Sequence, residues 1–157
     1  GGEPTEYHWR IGRTYQDNFD HSSLKYINEL TEIDELTSAE SIFLTDVATS
    51  YYLASLTDNF VRVVLPHHFV DKFSIEGELY KRLCQSLTQQ SRFTDAKRIL
   101  KDYKVTHVLL NKDQNNRNVK TFCHGSQNRP TLRNNLGQLG KIIYTSNNFD
   151  LYALHIL

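Results

Sequence analysis

Four stretches of this 157-residue chain carry side chains suited to chemistry. Asp46 is followed closely by Thr49 and Ser50: a carboxylate able to act as acid, base or ligand, beside two hydroxyls able to help hold an anion at a helix start. The plainer alternative is that the hydroxyls cap a helix and the carboxylate accepts N–H bonds from the turn after it. That alternative is favoured, because no partner for Asp46 can be named along the sequence. His67-His68, after Pro66 and near Asp71, has the residue types for a metal site. Neighbouring histidines in an extended segment point to opposite sides and rarely share one ion, so an exposed loop without metal is expected. Asn111-Lys112 is the third stretch. The fourth, Cys123-His124, lacks a second Cys or His pair at zinc spacing.

These residues need a frame, and the apolar pattern supplies one. Ser41 to Asp46 is a short apolar run closed by a polar residue, which reads as a strand buried on both faces. Thr49 or Ser50 then caps a helix with an apolar stripe of Ala48, Tyr52, Leu53 and Leu56, ended by the turn-forming Thr57-Asp58-Asn59. Val61 to Leu65 is the second strand, stopped by Pro66. About fifteen residues separate the two strands, enough for a helical crossover and too many for a tight hairpin, so parallel pairing follows. Further helices are expected over Glu76 to Thr88, from a Thr94-Asp95 cap through Tyr103, and within Arg129 to Gly137 with Pro130 at its first position. Val105 to Asn111 is the third core strand, and Val119 to Cys123 is a weaker strand candidate. Gly140 to Thr145 and Leu151 to Ile156 flank Asn147-Asn148, which suits the left-handed residues of a hairpin turn.

Ahead of the first strand, Ser22-Ser23 precede Leu24, Ile27 and Leu30 in a short helix, and Thr31 to Glu40 reads as an acidic connector. Residues 1–21 form a polar and aromatic arm without a clear period, leaving 22–157 as one domain. The fold expected is α/β: a Rossmann-like three-layer sandwich with a mostly parallel sheet and an antiparallel C-terminal hairpin. In such sheets ligands sit at the carboxyl ends of the strands, here Asp46 to Ser50, His67-His68 and Asn111-Lys112.

Composition narrows the function. Eighteen basic residues balance eighteen acidic ones, so no long-range attraction to nucleic acid or anionic lipid is expected. The first strand-to-helix turn, Asp46-Val47-Ala48-Thr49-Ser50, has none of the glycines that let a backbone cradle a phosphate. That argues against a nucleotide-dependent oxidoreductase, a P-loop enzyme or a typical methyltransferase, and no cofactor is expected. No Gly-x-Ser-x-Gly elbow or catalytic cysteine signature occurs either. The two cysteines, Cys84 and Cys123, are expected as unpaired thiols, and an oxidising compartment would raise the chance of a bridge. The Asn-rich segment Lys112 to Asn118 is expected to be a mobile surface loop. No apolar run reaches membrane-spanning length. The absence of Met and the opening Gly1-Gly2 suggest a piece of a longer protein whose targeting or membrane segments lie elsewhere.

The run from Ser41 to Thr57 followed by Val61-Arg62-Val63-Val64 resembles the soluble extracytoplasmic domain of polytopic GT-C-like membrane glycosyltransferases, which use lipid-linked sugar donors. Lys101 to Leu110 is similar to that domain's later helix-to-strand step, and Lys141 to Tyr144 with Leu151 to Leu154 to its terminal hairpin. The resemblance covers roughly Leu24 to Leu157 and lies in pattern and order, while His67-His68 and the Asn-rich loop have no counterpart in it. It implies a non-catalytic domain anchored through its own transmembrane part, shaping access for a glycan or polypeptide acceptor or supporting catalytic loops elsewhere. It carries no catalytic residue onto this chain. The alternative is a free-standing α/β binding or interaction module. A small enzyme using Asp46 and the His67-His68 loop comes third.

Overall fold

The structure, a computed structural model, describes residues 25–56, 60–61, 75–89, 93–113, 115, 123 and 130–156. The N-terminal arm, the Ser22-Ser23 cap, the Thr57-Asp58-Asn59 turn, the second strand beyond Val61, the His67-His68 loop with Asp71, residues 119–122 and His124 lie outside these.

Helix α1 (25–36) buries Tyr26, Leu30 and Ile33, the i, i+4, i+7 stripe of an amphipathic helix. This corrects two expectations. Ile27 is exposed, so the inward face is not the one spaced through Ile27, and the supposed acidic connector is helical as far as residue 36 because Ile33 continues the buried stripe.

Strand β1 (Ile42–Leu44) leads into α2 (Val47–Leu56), and the chain returns in β2 (Phe60–Val61), parallel to β1 with Ile42 opposite Phe60. Two helices follow, α3 (Ile75–Thr88) and α4 (Phe93–Asp102). Thr94 and Asp95 therefore lie inside the first turn of α4, where Asp95 suits the positive helix end, and are not its cap. Leu83 and Leu87 of α3 and Ala96, Ile99 and Leu100 of α4 are buried. Helix α4 ends in a Schellman arrangement: Val105 N–H donates to Leu100 C=O at 3.0 Å, Lys104 N–H donates to Lys101 C=O at 3.0 Å, and Lys104 takes φ 57°.

That turn delivers the chain to β3 (His107–Asn111), which lies parallel to β1 with Phe43 opposite His107 and Leu44 opposite Val108. Helix α5 (Pro130–Leu139) starts at the expected proline and feeds β4 (Gly140–Thr145), which pairs antiparallel with β5 (Phe149–Leu154). β5 in turn pairs antiparallel with β3. The result is a mixed α/β fold around one five-stranded sheet in the order β2-β1-β3-β5-β4. Two of its four pairings are parallel and two antiparallel, so the sheet is mixed where a mostly parallel one was expected.

Partner residues across the strands show which helices lie over which face. Asn111 and Phe149 are opposite one another on β3 and β5. Asn111 bonds to Thr49 of α2, and the Phe149 ring meets the Tyr26 ring of α1 edge-on at 5.3 Å between centroids. Asp150, next along β5 and so on the other face, is bonded by Arg133 of α5. Asn135 ties α5 to α3 through a 2.8 Å bond to the Leu87 carbonyl.

The hairpin turn departs from expectation. Neither Asn147 nor Asn148 has positive φ. Tertiary contacts hold the turn instead: Glu29 of α1 accepts bonds from the Ser146 hydroxyl, from Asn148 N–H at 3.1 Å and from Asn148 Nδ2 at 2.7 Å. Lys112 adds a backbone bond to the Asn148 carbonyl and a side-chain bond to that of Ser146.

Two glycines give opposite predictions. A Cβ on Gly140 would run into the Ala153 carbonyl and Leu154 Cα, which are backbone atoms of β5 and cannot rotate away. Gly140→Ala is expected to cost about 2 kcal/mol or more in urea denaturation, as overpacked sites do. A Cβ on Gly137, within α5, meets nothing within 4 Å, so Gly137→Ala should gain roughly 0.5 to 1 kcal/mol from helix propensity and chain entropy. A neutral Gly140→Ala would show that β4 does not enter the sheet at that residue.

Candidate functional site

The strand order places β1 between β2 and β3, with the chain leaving β1 toward one side and arriving in β3 on the other. The carboxyl ends of β1 and β3 therefore flank the switch point where ligands collect in open α/β sheets. Asp46, Thr49, Ser50 and Asn111 meet there, all buried. His67 and His68, the other residues proposed for this edge, lie outside the described residues.

Asp46 is the cap of α2. Its Oδ1 accepts the Thr49 N–H at 2.8 Å, and its carbonyl accepts the Ser50 N–H at 2.9 Å. This bears out the turn-acceptor reading of Asp46 and corrects the assignment of the cap to Thr49 or Ser50, which sit inside the first helical turn. Thr45, between the strand and the cap, donates its hydroxyl to the Leu109 carbonyl of β3 at 2.7 Å.

From Asp46 a chain of bonds crosses the switch point. Asn111 Nδ2 donates to the Thr49 hydroxyl at 3.2 Å, and Asn111 Oδ1 accepts the Asp113 N–H at 2.9 Å. Asp113 accepts the Tyr26 hydroxyl at 2.6 Å and pairs with Lys25 at 2.8 Å. Three elements, α2, β3 and α1, are thus joined through polar groups beneath the helix ends. The start of the Asn-rich segment belongs to this network, since Asp113 is buried and its Oδ1 accepts the Asn115 N–H. A freely exposed loop from Lys112 onward is corrected to that extent.

The charges differ in their surroundings. Burial pushes the Asp46 carboxyl up to about 6, against the opposing bonds from Thr49 and the nearby amides. Burial acts the same way on Asp113, but the bonds from Lys25 and Tyr26 outweigh it and hold that carboxyl below its ordinary range. Asp150 follows Asp113: Arg133 and Lys112 overcome its burial and lower it.

Chemically, the cluster can hold a helix end and present amide and hydroxyl groups. Among the described residues no three His, Cys, Asp or Glu side chains are grouped to hold a metal. Burial disfavours the charged form of His107. It opens β3 while Asn111 closes it, four strand steps and so about 13 Å away, and its ring stacks on Phe43 at 5.2 Å.

Sequence reasoning missed Tyr26, Lys25 and Asp113. Asp113, two residues past Asn111 at the end of a predicted strand, could have been found; Tyr26 and Lys25 lie 87 and 88 residues away along the chain, and only the fold brings them in. It also expected two unpaired thiols, which the structure corrects. Cys84 of α3 and Cys123 form a disulfide across 39 residues, with Cα atoms 5.1 Å apart and both residues buried. Compared with protein-family models, characterised proteins and solved structures, the chain matches none.

Proposed function

We propose that this chain is the soluble extracytoplasmic domain of a larger polytopic membrane protein, a glycosyltransferase of the GT-C-like kind. In this reading it is non-catalytic and shapes acceptor access or supports the catalytic membrane part. The observation that carries the reading is the buried Cys84–Cys123 bridge, because such bonds persist mainly outside the reducing cytosol. It bears on the compartment. The glycosyltransferase assignment rests on the sequence resemblance. No helix of the described residues is long and apolar enough to cross a membrane, so the anchor in this reading belongs to the parent protein. Its partners are then that membrane part and a glycan or polypeptide acceptor.

A Rossmann-like three-layer arrangement is the finer reading of the fold. It is supported by the parallel β2-β1-β3 trio, by α1 and α2 contacts on one sheet face and by the α5 contact on the other. A second reading, a free-standing α/β binding module, is favoured by the polar cluster at the switch point.

Topology mapping separates the two. In cells making the full-length parent, external protease should reach the domain, and maleimide should label Cys84 and Cys123 only after unfolding with reductant. A cytosolic domain with both thiols free would overturn the extracytoplasmic reading. The isolated domain is expected to transfer no sugar from a lipid-linked donor. Reproducible turnover abolished by Asp46→Ala, with folding retained, would overturn the non-catalytic reading.

A further inference from the structure

Three aspartates are buried near the polar ends of β1, β3 and β5: Asp46, Asp113 and Asp150. Two of them face cations, Asp113 through Lys25, and Asp150 through Lys112 and Arg133. Asp46 is paired with no lysine or arginine among the described residues, and its partners are the Thr49 side chain and nearby amides.

Among the described residues, the charged groups of the neighbouring elements are committed elsewhere. On α1, Lys25 and Tyr26 serve Asp113; past the end of β3, Lys112 serves Asp150 and Ser146. Helix α2 carries no acidic or basic residue from Val47 to Leu56, and its Tyr52 ring packs against Tyr26. The described part of β2, Phe60 and Val61, has no titratable side chain.

We propose that Asp46 makes the β1–α2 joint a pH-responsive latch. With the carboxyl neutral, the first turn of α2 stays seated over the ends of β1 and β3; with it ionised, the turn opens more often and lets water reach the charge. A buried carboxylate with no cation beside it gains hydration on opening, whereas a neutral carboxyl gains little. The bonds that opening would break are the one Asp46 accepts from the Thr49 N–H and the one the Thr49 hydroxyl accepts from Asn111. Since burial raises the folded-state pKa from 3.8 to about 6, the stabilisation is fully present below 3.8 and is lost as pH rises through about 6.

Two amides report the latch directly. Thr49 N–H is bonded to Asp46 Oδ1 and Ser50 N–H to the Asp46 carbonyl. Their exchange with deuterium, measured by NMR from pH 4.5 to 8 and corrected for intrinsic base catalysis, should lose protection by about 25-fold, the part of that pKa shift's effect that falls within this range. In Asp46→Asn, which caps without a charge, protection should stay level with pH, and Asp46→Ser is the second such variant if asparagine does not fold. A level profile in the wild-type protein, an Asp46 carboxyl carbon that titrates near 4, or a fall that persists in a folded capped variant would overturn the proposal.

Discussion

Leu44→Asp and Val108→Asp are each expected to destabilise the domain severely. Both residues are fully buried, and they are Cα partners across β1 and β3, so their side chains stand side by side on one face of the sheet. A carboxylate placed there would have no partner of its own, and leaving a charge uncompensated in an apolar interior costs several kcal/mol even after it takes up a proton. A domain of this size is stable by only about 5 to 15 kcal/mol, so each change removes most of that margin. Chemical denaturation of the purified variants measures the loss, with Leu36→Asp as the control. Leu36 is 52% exposed, and its replacement should stay within about 0.5 kcal/mol of the parent. Melting of both core variants near the wild-type temperature would show that these two strands are not central.

Why the centre of the sheet was legible follows from those same residues. A strand buried on both faces must be apolar at successive positions, and the runs at Ile42 to Leu44 and Val108 to Leu110 have that character whatever surrounds them. Element edges were less legible because they depend on single bonds. Asp46 caps α2 by accepting the Thr49 N–H, and the assignment of the cap to Thr49 or Ser50 passed over an aspartate that caps at least as well as threonine. The Asn147-Asn148 turn read as left-handed on residue type, but Glu29 and Lys112 hold it in another conformation. At the hairpin turn, local preference lost to tertiary contact.

The site was half legible for a related reason. Strand ends can be placed from apolar patterning, so Asp46 and Asn111 were found at the switch point, and their joining through Thr49 follows from β1 lying beside β3. Helix α1 was misread by one residue in its inward face, and that hid Tyr26. A shift of one position turns a helical side chain by about 100°, which is enough to move Tyr26 from the core to solvent. With the stripe read through Leu24, Ile27 and Leu30, Tyr26 was left out, and Asp113 was read only as part of an Asn-rich loop. Its burial depends on the Tyr26 hydroxyl and Lys25.

Removing the disulfide is expected to have the other large effect. Cys84 and Cys123 are 39 residues apart, and the loop they close contains all of α4 and β3. In the chain-entropy account, cross-linking a loop of that length takes conformations mainly from the unfolded chain and is worth about 4 kcal/mol. Loss of the bridge should therefore lower the urea midpoint by a large fraction of the total, whether by reduction or by the double change Cys84→Ala with Cys123→Ala. Alanine at both positions is the cleaner test, because a single replacement leaves a buried thiol able to form mixed disulfides. Since the bond acts largely on the unfolded chain, the folded spectrum of the double variant should match that of the oxidised protein under native conditions. A loss below about 1 kcal/mol, or two thiols alkylated in the unfolded but unreduced protein, would show that the bridge does not hold the fold. Against a total of about 5 to 15 kcal/mol, the same sequence kept reduced would stand much nearer its unfolding threshold.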